Sequence, residues 1–127
     1  MYSDALMERF LNPSHAGDVD AANGTGAQGN ITCGDVVHLS IKVRDGLITE
    51  ARFRAQGCAT AIASADALCE LITGTSLTAA AIIDAEALSQ RLDGIPTDRV
   101  NCASIVLDAL RGALEEVRAR RPAAGSG

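Results

Sequence analysis

The sequence predicts an α+β domain: a small antiparallel sheet with helices stacked on one face. Three observations predict it. Residues 36–43 alternate apolar and polar and meet a second strand-like stretch across an Asp-Gly pair. The stretches after Gly57 and toward the C-terminus carry apolar residues at helical spacing. The order along the chain is helix, strands, then helices, which groups the strands instead of interleaving them.

Tyr2, Leu6 and Phe10, with Met7 and Leu11 beside them, predict a first helix over 2–11, stopped by Asn12-Pro13. Residues 14–30 hold Gly17, Gly24, Gly26 and Gly29 among several Asp and Asn, and read as a loop, partly extended. Over 36–43, Val37, Leu39, Ile41 and Val43 fall on one face, with His38, Ser40 and Lys42 on the other. Arg44-Asp45-Gly46-Leu47 is a hairpin turn, and 48–55 is the return strand. Gly57 ends that strand. A helix then runs from Cys58 to about Thr73 on a stripe of Ile62, Ala65, Cys69 and Ile72, and Gly74 stops it. Ser76 caps a short helix through Ile83, and Asp84 another through Leu92. Residues 93–96 are a loop. The last helix runs from about Cys102 to Ala119, with Val106, Leu110, Ala113, Leu114 and Val117 on one side. Its basic end (Arg118, Arg120, Arg121) suits the negative pole of a helix dipole.

The length of 127 residues suits one domain, 1–121, followed by a flexible tail at 122–127. Apolar residues make up 47% and aromatics 2%, so the core is built from Leu, Ile, Val and Ala. The net charge of −5 argues against nucleic acid as a partner, which needs clustered Lys and Arg. Met1 to Phe10 contain no unbroken apolar stretch of a secretory signal, and no run is long enough to span a membrane. The expected compartment is the cytoplasm, where thiols stay reduced and the four cysteines read as metal ligands or reactive groups in preference to disulfides.

Three of the cysteines stand at the edges of elements. Cys33 lies just before a strand, beside Gly34 and Asp35. Cys58 follows Gly57 at a strand-to-helix junction, and Cys102 opens the last helix. Each is either a small buried hydrophobe or a thiolate ligand. A helix N-terminus favours the thiolate at Cys58 and Cys102, and thiolates bind soft metals and iron–sulfur clusters. Cys69, mid-helix on the apolar stripe, reads as core. His38 reads as solvent-facing or partly covered, and His15 as a loop residue. The glycines at 24–29 lack the Lys-Ser/Thr of a phosphate loop.

These residues together resemble the IscU/NifU-type scaffold proteins of iron–sulfur cluster assembly. The resemblance rests on Tyr2-Ser3, Asn12-Pro13 and Gly17, then Cys33-Gly34-Asp35, Ile41-Lys42-Val43 and Ala51-Arg52-Phe53. It continues through Gly57-Cys58 leading into Ala61-Ile62-Ala63-Ser64-Ala65, and ends on Cys102. It covers about residues 2–120. It implies a roughly three-stranded sheet with helices, and a scaffold or carrier instead of an enzyme. Such a scaffold accepts sulfur from a cysteine desulfurase, binds iron, holds a labile 2Fe-2S cluster and passes it to acceptor proteins. The implied ligands are Cys33, Cys58 and Cys102, with zinc binding at the same site and Asp35 tied to cluster lability.

The sequence departs from the family pattern at two places. Asn101 stands where the family has His, or in some relatives Lys, before the last cysteine; it is either a weak ligand or a cap for the last helix. Ile95-Pro96-Thr97-Asp98-Arg99 keeps only one proline and one basic residue of the family's chaperone-binding stretch, which leaves use of a chaperone pair open. The further cluster domains of the NifU branch and the insertion of the zinc-dependent SufU branch are not seen. A zinc-bound sulfur acceptor and a structural zinc site are the competing functions.

Overall fold

The computed structural model describes residues 2–30 and 34–120. Cys33 and the tail at 122–127 therefore lie outside the described residues. In chain order the elements are α1 (Asp4–Leu11), β1 (Gly24–Asn30), β2 (Asp35–Arg44), β3 (Leu47–Gln56), α2 (Ala59–Ile72), α3 (Leu77–Ala81), α4 (Ala85–Arg91), a 3-10 turn (Thr97–Arg99) and α5 (Val100–Arg120). The three strands form one antiparallel sheet in the order β1-β2-β3. Among the described residues no helix is long and apolar enough to cross a membrane.

The hairpin follows from its turn chemistry. Asp45 and Gly46 have φ of 55° and 77°, and Arg44 pairs with Leu47 across them. Two successive positive φ values make a type I′ turn, whose twist matches that of the strands. Val37, Leu39 and Ile41 are buried on the inner face, opposite Ala55, Phe53 and Ala51. His38 is exposed on the other face. A register shift after Lys42 pairs Val43 with Ile48 and leaves Thr49 as the extra residue of a bulge.

One element departs from the sequence reading. Residues 24–30, read as part of a loop, form β1. The cause is the packing of α5. A Cβ at Gly26 would stand 1.9 Å from the Ala109 carbonyl oxygen, and one at Gly24 would stand 2.3 Å from that of Ala113. Helix and strand backbones touch there, so the inner face of β1 has no room for the apolar side chains that mark a strand in a sequence. On the outer edge, the Thr25 N–H donates to Glu116 Oε1 at 2.5 Å, which occupies a donor that an edge strand otherwise leaves open.

Helices α2 and α5 cover the inner face. Ala61, Ala63, Ala65 and Ala67 of α2 are fully buried together with Leu68 and Ile72. Small residues allow close approach, and the branched ones fill the space. Helix α1 docks on α2 through Leu6. Its cap is Ser3, whose hydroxyl accepts from the Leu6 N–H at 3.0 Å and donates to the Leu92 carbonyl. Ser76 and Asp84 cap α3 and α4 as the sequence predicts, accepting from the N–H groups of Ala79 and Ala87. Residues 15–17 run along β3: Phe53 N–H donates to the His15 carbonyl and Gly17 N–H to that of Phe53. Val19 is then buried, its N–H on the Ser40 hydroxyl at 2.9 Å.

Gly26→Ala is expected to destabilise the fold by about 1–3 kcal/mol, because the added methyl meets helix backbone and not a flexible side chain. Ala27→Ser, at an exposed neighbouring position, should change stability by less than about 0.5 kcal/mol. Urea unfolding of the two variants checks both values.

Candidate metal centre

The site forms where β2 begins and where α2 and α5 begin. Asp35 is the first residue of β2. β3 ends at Gln56, and Gly57 turns the chain with φ of 142° so that Cys58 sits at the N-cap of α2. A Cβ at Gly57 would fall 2.0 Å from Asp35 Oδ1, so glycine makes the space that the carboxylate fills. The third residue of α5, Cys102, enters from the helix packed across β1.

Asp35 is 2% exposed, and both its oxygens are engaged. The Cys58 N–H donates to Oδ1 at 3.0 Å, so Asp35 serves the start of α2 from another element. The Cys102 thiol donates to Oδ2 at 3.3 Å. Cys58 Sγ lies 3.9 Å from Oδ2 and 3.1 Å from Cys102 Sγ. One ligand atom from each of Asp35, Cys58 and Cys102 thus lies within 4.8 Å of the others. Cys102 and Asp35 are buried while Cys58 is half-buried, so the trio opens toward solvent on the Cys58 side. Two sulfurs and one carboxylate oxygen form a donor set that fits zinc or iron.

The electrostatics correct one expectation. A helix N-terminus favours a thiolate, yet burial pushes the Cys102 thiol well above its ordinary range, and the neighbouring Cys58 and Asp35 push it further. An anion buried there, beside a carboxylate and a second sulfur, is costly. A metal held by Cys58, Cys102 and Asp35 would favour the thiolate form of both cysteines. Arg99, at the end of the 3-10 turn, is influenced by Tyr2 first and by Cys58, Asp98 and Cys102, which raise its pKa. With Tyr2, Pro96 and Asp98 it lines a small surface pocket beside the site.

Of the residues singled out in the sequence, Asp35, Cys58 and Cys102 come together. Cys33 lies outside the described residues. Asn101 is exposed and stands one residue inside α5, with the 3-10 turn running directly into the helix, so it is not at the cap. Cys69 is fully buried in the core, and burial raises its pKa. His15 is more than a loop residue: its N–H donates to Asp66 Oδ1 at 2.9 Å, and its Nδ1 lies 3.4 Å from the same oxygen. Asp66 is 1% exposed and also accepts from Arg9 Nη1 at 2.9 Å. The sequence reading passed over Asp66, although an acid inside the alanine-rich run of α2 signals a buried charge that needs partners. This cluster ties α1 to the middle of α2, eight residues beyond Cys58.

The NifU-like N terminal domain model matches residues 1–124. The iron–sulfur cluster assembly scaffold protein IscU 1 of Archaeoglobus fulgidus is 37% identical over 114 residues, covering 90% of this chain and 74% of that protein. The iron–sulfur cluster assembly scaffold protein IscU of Escherichia coli is 34% identical over 126 residues, covering 96% and 98%. Among solved structures, the N-terminal part of a nitrogen-fixing NifU-like protein from Brucella abortus has a TM-score of 0.76 at 17% identity, over 93% of this chain and 94% of that one. A SUF-system protein from Fervidobacterium islandicum has a TM-score of 0.75 at 24% identity, over 89% and 96%. The two structures show the same fold. Because the family model spans nearly the whole sequence and the relatives align along most of it, this chain belongs to the NifU-like N terminal domain family, alongside the IscU scaffold proteins of iron–sulfur cluster assembly.

Proposed function

We propose that this chain is a scaffold on which an iron–sulfur cluster is assembled and from which it is handed on. It accepts sulfur from a cysteine desulfurase, takes up iron, holds a labile 2Fe-2S cluster on Cys33, Cys58 and Cys102, and yields it to acceptor proteins. The observation that carries this reading is the meeting of two free thiols with a buried carboxylate at a mouth open to solvent. The names of the relatives support the same reading. Cys33 joins the ligand set through the family resemblance.

The residues divide the work by exposure. Cys58, half-buried, meets an incoming group first, and Cys102 closes the site from behind. Asp35 orients both, through the Cys58 N–H and the Cys102 thiol. A carboxylate oxygen is a harder donor than sulfur and holds iron less firmly than a thiolate does. Its place within reach of both sulfurs suits cargo that has to leave. A second reading follows from the same donor set: thiolates and a carboxylate also suit zinc, which would make the chain a zinc-bound sulfur acceptor.

Anaerobic reconstitution with ferrous iron and sulfide, followed by visible absorption, tests the proposal. The wild-type chain is expected to develop the bands of a thiolate-bound cluster; a chain that takes zinc but develops no such bands supports the second reading. Cys33→Ser, Cys58→Ser and Cys102→Ser should each lose stable binding. Cys69→Ser should retain it and lose roughly 1–3 kcal/mol of stability from an ill-matched buried hydroxyl.

Asp35→Ala should lengthen the life of a reconstituted cluster several-fold, read as slower decay under a chelator. Unchanged or faster decay would remove Asp35 from control of lability. Asn101→His is expected to bind metal more tightly, since imidazole suits iron and zinc and a side-chain amide does not. Chelator competition on Asn101→His and Asn101→Ala checks it, and equal affinities would place the position away from the metal.

A further inference from the structure

The two sulfurs of the site are close enough to react with each other. Cys58 Sγ and Cys102 Sγ are 3.1 Å apart, and both thiols are free. They differ in access, because Cys58 is half-buried at the mouth while Cys102 is 4% exposed behind it. An incoming sulfane sulfur therefore reaches Cys58 first and finds a second thiol already against the sulfur that carries it. Sulfane sulfur is two electrons more oxidised than the sulfide of a cluster, so those electrons have to come from somewhere.

We propose that the Cys58–Cys102 pair supplies them, reducing a sulfane sulfur bound on Cys58 to sulfide with no external electron donor in that step. Cys102 Sγ attacks Cys58 Sγ of the persulfide. The bond between the two cysteine sulfurs forms, and the bond from Cys58 Sγ to the outer sulfur breaks, its electron pair leaving with the outer sulfur. As the attack proceeds the Cys102 thiol passes its proton to Asp35 Oδ2, 3.3 Å away, and Asp35 gives it to the leaving hydrosulfide. One persulfide and one thiol become one disulfide and one hydrogen sulfide; the sulfane sulfur is reduced and the cysteine pair is oxidised. A small dithiol or a thioredoxin-class reductant then restores the pair. That the released sulfide serves a cluster rests on the function proposed above; the exchange itself needs only a sulfane donor. Cys69, fully buried in the core, takes no part.

The test uses the full metal-free chain, reduced and freed of reductant, pulsed anaerobically with inorganic polysulfide and desalted at once. Sulfide release and cysteine linkage are then followed in time. Equal amounts of sulfide and Cys58–Cys102 linkage are expected in the wild type and in Cys69→Ser. Cys102→Ser, with Cys102→Ala as a second variant, should keep the persulfide on Cys58 and release sulfide on the order of tenfold more slowly. Undiminished release from both Cys102 variants would overturn the proposal. So would persulfide moved to Cys102 without sulfide, a linkage to Cys33 in place of Cys102, or no linkage at all. Reconstitution with iron and sulfide on the same preparation separates the two ideas. A cluster without the linkage leaves the scaffold reading standing and sinks this one, and the linkage without a cluster does the reverse.

Discussion

A carboxylate taken out of water must find donors, and Asp35 finds them in the Cys58 N–H and the Cys102 thiol. Those two donors begin two different helices, while Asp35 itself begins the central strand. The single side chain therefore fixes how three elements meet at one end of the sheet. Gly57 is the counterpart of this arrangement. Any side chain there would occupy the position of Oδ1, so glycine and aspartate are one packing solution seen from two strands. The chemistry of the site inherits that constraint, because both sulfurs are aimed by the same carboxylate.

The hairpin was legible in the sequence because its determinants are local: strict alternation over Val37, Leu39 and Ile41, and an Asp-Gly pair that accepts positive φ at both turn positions. The caps at Ser76 and Asp84 were legible for the same reason. Strand β1 was not. Its inner face consists of Gly24 and Gly26, and what makes it a strand is pairing with β2 on one side and contact with α5 above, both remote in sequence. A pattern made by absent side chains is indistinguishable from a loop until the helix that requires them is in place. Helix α5 starts two residues before the position expected from the sequence, because the 3-10 turn at 97–99 continues straight into it.

At the site, residue types were readable and energetics were not. Cys58, Cys102 and Asp35 were singled out from their places at element ends and from the family resemblance. A helix terminus by itself favours a thiolate at Cys102, whereas burial beside Asp35 and Cys58 raises the thiol's pKa. Asp66 shows the opposite limit. Its partners Arg9 and His15 lie more than fifty residues away in the chain, and nothing in the periodicity of α2 indicates which charges would meet it.

The seam between α5 and β1 has a mechanical meaning. Contacts between side chains can relax by changing rotamers, but backbone against backbone offers no such soft coordinate. Near Gly24 and Gly26 the helix is either seated or lifted, with little between. Cys102 rides on that helix only two turns before Ala109, the residue whose carbonyl faces Gly26. The seam therefore behaves as a latch for the cysteine: opening the site from the α5 side means unseating a length of helix, and whatever holds Cys102 in place also keeps the glycine strand covered.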